Sequence, residues 1–461
     1  MPLLTTGSGV FVESANQGAT HLSQTAQRFL DYITSDPERT RRLHHIAPAE
    51  YFAPLQSWPT LVGGEKLAEI SRDTVGLTQL VKSIPERIFG NDPYKIAKYY
   101  GFPSGAPLAI LLEPPNGLDA VLVRNDYIDT PGGFKCLEVN AGSIGGWQHR
   151  AFAHRVRAHP LIARFCADEG IEPYHRDPLA MLLQYIIGHN LGKPVTASGE
   201  LNVAIAIDHK PPAGEDARLT QIYRRMLEEG GTGLTGRVVL CSCSDLSGRQ
   251  NQIWHRDLLI HALVLMSDEG RPPETAFRSF KSGRLSLYNG PITRLLNDKR
   301  VLALLSERAD SDLFTADERD LLQRCLPWTR AVGNGTATFR GETAALPALL
   351  TTYREDLVLK PSLGYQGQGV TFGHQTAPGA WARLIEEAVA KGGWLAQERA
   401  DSRPYIYQVG EQGYGVHSVV WGTFCFGEIF GGGFLRMIPQ GIGDGVINSA
   451  RGATEGLLFE V

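Results

Sequence analysis

The sequence predicts a mixed α/β protein (α/β with α+β character) of two or three lobes, and three observations carry that expectation. The 461 residues exceed what one simple core accommodates. Two apolar runs, at 201–208 and 236–242, flank an amphipathic stretch at 219–228, which is the pattern of a parallel βαβ unit. From residue 353 onward, short strands alternate with one helix around a glycine-rich loop.

Composition narrows the class. Hydrophobic residues make up 43% and charged residues 20%, as in a water-soluble globular chain. The formal net charge of −4 argues against a nucleic-acid binder, which carries a basic excess. Of six cysteines only Cys241 and Cys243 are closely spaced, without the second pair a zinc site needs. Free thiols point to a reducing, cytoplasmic setting. The first residues lack the basic and apolar regions of a signal peptide. No window of about 18 apolar residues calls for a membrane span.

In chain order, residues 1–118 read as helical. Ala26, Phe29, Leu30 and Ile33 form an apolar stripe, and Pro59, Pro85, Pro93 and Pro103 punctuate the later segments. Residues 119–190 begin with a hairpin: a strand through Arg124 and Asp126, a turn over 130–133, and a returning strand through Glu138 and Asn140. Alternation places Arg124 with Asp126 on one face and Glu138 with Asn140 on one face, with Leu137 and Val139 on the opposite, apolar side. A helix over 177–192 starts at Asp177 as N-cap with Pro178 in its first turn. Residues 191–290 form the doubly wound lobe, closed by a short strand at 284–288. In the last part, 291–461, Asn297 caps a helix whose first turn holds Lys299, where a lysine opposes the helix dipole. A helix marked by Trp381, Leu384, Ile385 and Ala388 ends at Gly392, and a strand through Gln397 and Glu398 comes next. The tail is strand-rich and contains Arg436 and, near its end, Asn448.

Two motifs carry chemistry. A strand ends at Lys360, and it leads into a loop with Gly364, Gln366, Gly367, Gln368 and Gly369. The three glycines permit positive φ, and successive amide groups in such a loop form a concavity suited to phosphates, with the lysine adding charge. The lysine precedes the glycines, so this is no Walker loop, and no helix opens from it as a dinucleotide fingerprint requires. Taken alone, it is also an ordinary glycine-rich hairpin. In the second motif, Asp126, Glu138 and Asn140 supply the hard oxygens that suit Mg²⁺. The plain alternative is a solvated strand edge.

The joint occurrence of these parts resembles the circularly permuted ATP-grasp ligases of the glutathionylspermidine synthetase type. The likeness rests on Arg-x-Asp at 124–126, Glu-x-Asn at 138–140, Asn-Asp-Lys at 297–299 and Lys360-Pro361 with its glycine loop. The metal motif precedes the lysines, the reverse of the usual ATP-grasp order. The resemblance covers about 119–141 and 284–452, with the βαβ lobe inserted between. It implies a permuted ATP-grasp fold with ATP and Mg²⁺ as cofactors. Lys299, Lys360 and the loop at Gly364, Gln366, Gly367 and Gly369 would hold phosphates, and Gln397 and Glu398 would lie at the adenine hinge. Asp126, Glu138 and Asn140 would hold the metal. Arg124 and Arg436 would be catalytic, with Asn448 a weaker match. The uncharged Gln366-Gly367-Gln368 departs from relatives that carry a charge there.

The activity so implied joins a carboxylate to an amine through an acyl phosphate, with small molecules or peptides as partners and neither nucleic acid nor membrane. Two alternatives share the fold: a phosphotransferase and a non-catalytic nucleotide-binding protein. A nicotinamide enzyme built on the βαβ lobe is disfavoured, because no Gly-x-Gly-x-x-Gly comes after Asp208.

Overall fold

A computed structural model describes residues 19–44, 46, 53–105, 118, 120–209, 214–267, 270–290, 292–364, 366–411, 413–441 and 445–461. The largest sheet runs Thr60–Val62, Thr454–Glu460, Ile429–Pro439, Gly413–Phe426, Leu122–Thr130, Gly133–Ala141, with Tyr405–Val409 also paired to Gly413–Phe426. The first pair is parallel and the rest antiparallel. The sheet therefore interleaves early and late chain.

One face of this sheet is covered by the helix Gly64–Arg87, which buries Ile70, Leu77, Leu80, Val81 and Ile84. Each such side chain contributes about 1.5–3 kcal/mol by leaving water. Buried polar contacts fix its register: Asn125 Nδ2 donates to Thr78 Oγ1 at 3.0 Å, and the Thr74 and Thr423 hydroxyls meet at 2.8 Å. Pro85 does not end the helix, as its punctuation in the sequence suggested. It sits inside the last turn, and the chain leaves through Gly90 and Asn91 at φ 61° and 56°. The stripe Ala26, Phe29, Leu30 and Ile33 is buried on the helix Gln24–Thr34, whose N-cap Ser23 accepts from Ala26 N at 2.9 Å.

A second sheet is parallel throughout, in the order Ser286–Tyr288, Ala262–Met266, Val203–Ile207, Val238–Cys241. The helix Glu215–Glu229 makes the crossover between the two strands legible in the sequence. Ala262–Met266 is a strand beyond those the sequence pattern marks, and it is what the 286–288 strand pairs with. The helix Pro178–Asn190 is capped as expected by Asp177, which accepts from Leu179 N at 3.1 Å.

The third sheet is antiparallel: Thr329–Ala331, Trp394–Glu398, Leu357–Pro361, Thr371–Phe372. The helix Pro378–Lys391 backs it, with Trp381 fully buried and its Nε1 donating to Leu350 O at 2.8 Å. Among the described residues no helix is long and apolar enough to cross a membrane. All six cysteines are buried and unpaired by disulfides.

Candidate functional site between two sheets

A cleft of about 1140 Å³, measured out to its open mouth, separates the largest sheet from the third. The hairpin forms one wall. Its strands Leu122–Thr130 and Gly133–Ala141 turn at Pro131 and Gly132, with Gly133 at φ 95°. The register runs Arg124 opposite Asn140 and Asp126 opposite Glu138, then shifts so that Tyr127 faces Cys136. Leu137 is the extra residue of that bulge, and a bulge re-aims side chains. Leu137 therefore borders the cleft beside Glu138, contrary to the simple alternation that put it on the apolar side.

Asp126 is buried among cations and amides. Arg124 Nε and Nη2 donate to its two oxygens at 2.9 and 3.1 Å, and Asn140 Nδ2 donates to Oδ2 at 3.0 Å. Arg436 Nη2 lies 2.8 Å from Oδ2 as an ion pair. Arg436 is 4% exposed, and its Nε has no acceptor among the described residues. Burial alone would raise the Asp126 pKa, but the two guanidiniums outweigh it and hold the group at about 2. Opposite Arg436 on the next strand, Glu455 accepts from Ser449 at 2.5 Å and meets His149 Nε2 at 2.8 Å. That carboxylate ties the segment after Asn140 to the turn after Asn448. Asn448 borders the cleft, but its own oxygen caps Ala450 N at 2.9 Å.

The lysines come from the other wall. Lys360 is buried and donates to Leu137 O at 3.0 Å and Gln397 Oε1 at 2.7 Å. Burial lowers its pKa to about 8, with Glu138 opposing the shift and Lys299 reinforcing it. Lys299 Nζ lies 3.6 Å from Glu138 Oε2 and donates to Gly364 O at 2.9 Å. Its placement differs from the expected one. The helix is Arg300–Glu307, Lys299 stands just before it, and Asp298 Oδ1 accepts from Arg300 N at 2.9 Å. Asn297 instead ends the short helix Thr293–Leu296 and accepts from Ala141 N at 3.2 Å.

The glycine loop turns at φ 57°, 72° and 73° through Gln366, Gly367 and Gly369, so Gly364 keeps an ordinary conformation where positive φ was expected. Gly367 borders the cleft, while Gln366 is exposed away from it. A Cβ on Gly367 would come within 2.4 Å of Val446 Cγ1, and Arg451 Nη1 donates to Gly367 O at 3.3 Å. The loop tip thus rests on a segment of the opposite wall.

The cleft has an apolar stretch between Val358 and Phe372 on one side and Ile128 and Val420 on the other, with His374, Gln375, Ser402 and Ser418 also at its border. Gln397 and Glu398 border it. The Gln397 amide is engaged at both ends, donating to Thr329 Oγ1 at 3.1 Å while accepting from Lys360. Glu398 N and Arg399 N are taken by Trp328 O and Asp356 O, each at 2.8 Å, and the Glu398 carboxylate pairs with Arg340 at 3.3 Å. Sequence reasoning missed Leu137, Thr329, Val420 and Val446. Val420 lies on a strand stretch buried on both faces, where alternation gives no signal, and Thr329 on a strand of three residues, too short to show alternation.

No protein-family model and no curated protein sequence matches the chain. Among solved structures, a provisionally named gamma-glutamylcysteine synthetase from Methylobacillus flagellatus KT has a TM-score of 0.40 at 13% identity, over 83% of this chain and 87% of that one. A glutathione synthetase-like effector, GSS30, from Globodera pallida, solved without ligand, has a TM-score of 0.52 at 13% identity, over 96% of this chain and 99% of that one. The chain is therefore similar in fold, along nearly its whole length, to a glutathione synthetase-like protein.

Proposed function

We propose that the protein is an ATP-dependent ligase that joins a carboxylate to an amine, on a circularly permuted ATP-grasp fold. One observation carries the reading: Lys299, from the second half of the chain, stands 3.6 Å from Glu138 of the hairpin, and Lys360 and Glu138 border the same cleft. Such a crevice suits a triphosphate between cations on one wall and hard oxygens on the other, with an apolar slot for the base.

The residues fit Mg²⁺ in part. The Glu138 carboxylate and the Asn140 amide oxygen are hard donors on one strand face, whereas both Asp126 oxygens are already engaged. Bound by Glu138 and Asn140, the ion would neutralise phosphate charge. In the reaction a substrate carboxylate oxygen attacks the γ-phosphorus and ADP leaves, giving an acyl phosphate. The amine nitrogen then attacks the acyl carbon, phosphate departs, and the nitrogen loses a proton to form the amide. Lys299 and Lys360 hold the triphosphate, and Arg436, whose Nε lacks an acceptor among the described residues, meets negative charge developing at the phosphoryl group. The loop through Gly367 keeps water from the acyl phosphate.

The test is ATP consumption with pooled carboxylates and amines, read as phosphate release and amide mass, for wild type, Glu138→Ala and Lys360→Ala. Amide formation that both substitutions abolish in folded protein supports the reading. Turnover that survives either substitution removes it, and a stable phosphorylated product without amide assigns a kinase instead.

A further inference from the structure

We infer that Asp126 is a positioning residue, whose carboxylate holds Arg124 and Arg436 together beside the cleft and leaves metal binding to Glu138 and Asn140. The inference rests on the ligase reading above and changes the role of one residue within it.

The geometry argues by saturation. A carboxylate offers about four acceptor positions. Arg124 takes two with Nε and Nη2 at 2.9 and 3.1 Å, Asn140 takes one at 3.0 Å, and Arg436 approaches at 2.8 Å. A magnesium ion needs about 2.0–2.1 Å to an oxygen. Reaching Asp126 it would have to displace a guanidinium, then sit beside two positive charges with little water to screen them. Glu138 carries no guanidinium hydrogen bond among the described residues: Lys299 is its ion-pair partner at 3.6 Å, and Lys360 acts on it electrostatically. Asn140 donates its amide nitrogen to Asp126, which fixes the amide orientation and leaves its oxygen for another partner.

The other side of the arrangement is aromatic. The guanidinium carbons of Arg124 and Arg436 lie 5.7 and 5.5 Å from the centre of the Phe434 ring. Two like charges over one ring separate unless a counter-ion joins them, and Asp126 is the carboxylate that touches both. It pairs with both guanidiniums, while Nε of Arg436 has no acceptor among the described residues. Gly145 O fixes the remaining arm of Arg124 at 3.0 Å.

The experiment measures Mn²⁺ binding by electron paramagnetic resonance in the presence of ADP, for wild type, Glu138→Gln, Asp126→Asn and the charge-balanced pair Asp126→Asn with Arg436→Gln. Glu138→Gln is expected to weaken Mn²⁺ by about tenfold or more, while Asp126→Asn and the pair change it by less than about twofold. In ATP consumption Asp126→Asn is expected to lower kcat by about a hundredfold with KM for ATP nearly kept, and Asp126→Glu to restore part of it. Should Asp126→Asn melt early, the pair, which keeps the net charge of the cluster unchanged, provides the Mn²⁺ comparison. Loss of Mn²⁺ in Asp126→Asn or in the pair equal to that in Glu138→Gln overturns the inference and leaves the ligase reading standing. Unchanged Mn²⁺ binding in Glu138→Gln overturns the ligase reading itself.

Discussion

The amine of Lys360 donates to the carbonyl oxygen of Leu137 at 3.0 Å, joining walls whose residues stand 223 positions apart. That carbonyl belongs to the bulge residue, so an irregularity in one strand provides the acceptor for a buried cation on another sheet.

The first prediction concerns protons. In the ligand-free protein the Lys360 pKa is lowered to about 8, below its ordinary 10.5. Between these values the unfolded chain binds more protons than the folded one, so stability rises with pH over about 8 to 10.5. Phosphates favour the charged form, so ATP binding near pH 9 should take up about one proton and weaken as pH rises. Calorimetry in buffers of different ionisation enthalpy measures this. A proton count that Lys360→Met leaves unchanged would refute it.

Lys299 stands at the positive end of the helix Arg300–Glu307. Lys299→Met should relieve that repulsion and leave stability equal or higher by about 0.3–1 kcal/mol, offset by the lost Glu138 pair. ATP turnover should fall by about a hundredfold or more in the same variant. Denaturant unfolding and a coupled ADP assay separate the two effects, and a large loss of stability would contradict a ligand-directed role.

Gly422 lies opposite Asp126, and a Cβ there would come within 2.5 Å of Phe434 and 3.2 Å of Arg124. Gly422→Ala should push the aromatic ring and the guanidinium out of line, lowering turnover more than ATP affinity. Comparison of kcat with the ATP dissociation constant checks this.

Trp381 is fully buried beneath the third sheet. Trp381→Ala should cost about 3–5 kcal/mol through the cavity it leaves. Urea unfolding gives the value, and a cost under about 1 kcal/mol would mean that the site refills.

Local chemistry is legible in the sequence; long-range register is not. The hairpin can be read because turn residues separate two alternating strands, and Asp177 and Gly392 can be read because caps are local signals. Leu137 escapes simple alternation because a bulge depends on the partner strand. Asn297 belongs to a different helix from the one its spacing suggests, because two short helices meet there and Asp298 does the capping. Gln366 has the positive φ expected of Gly364, which propensity alone does not signal in a residue other than glycine. The Asp126 cluster is hidden for another reason: Arg436 enters it from a distant strand.

The interleaving of early and late strands has a consequence during synthesis. The strand Leu122–Thr130 pairs with Gly133–Ala141 at once, but its other neighbour is Gly413–Phe426. A ribosome adding about 5–20 residues per second needs roughly 15 seconds or more to cover that gap. Through that interval the nascent hairpin, with Val123 and Tyr127 destined for the interior, has an unsatisfied edge open to chaperones or to wrong partners.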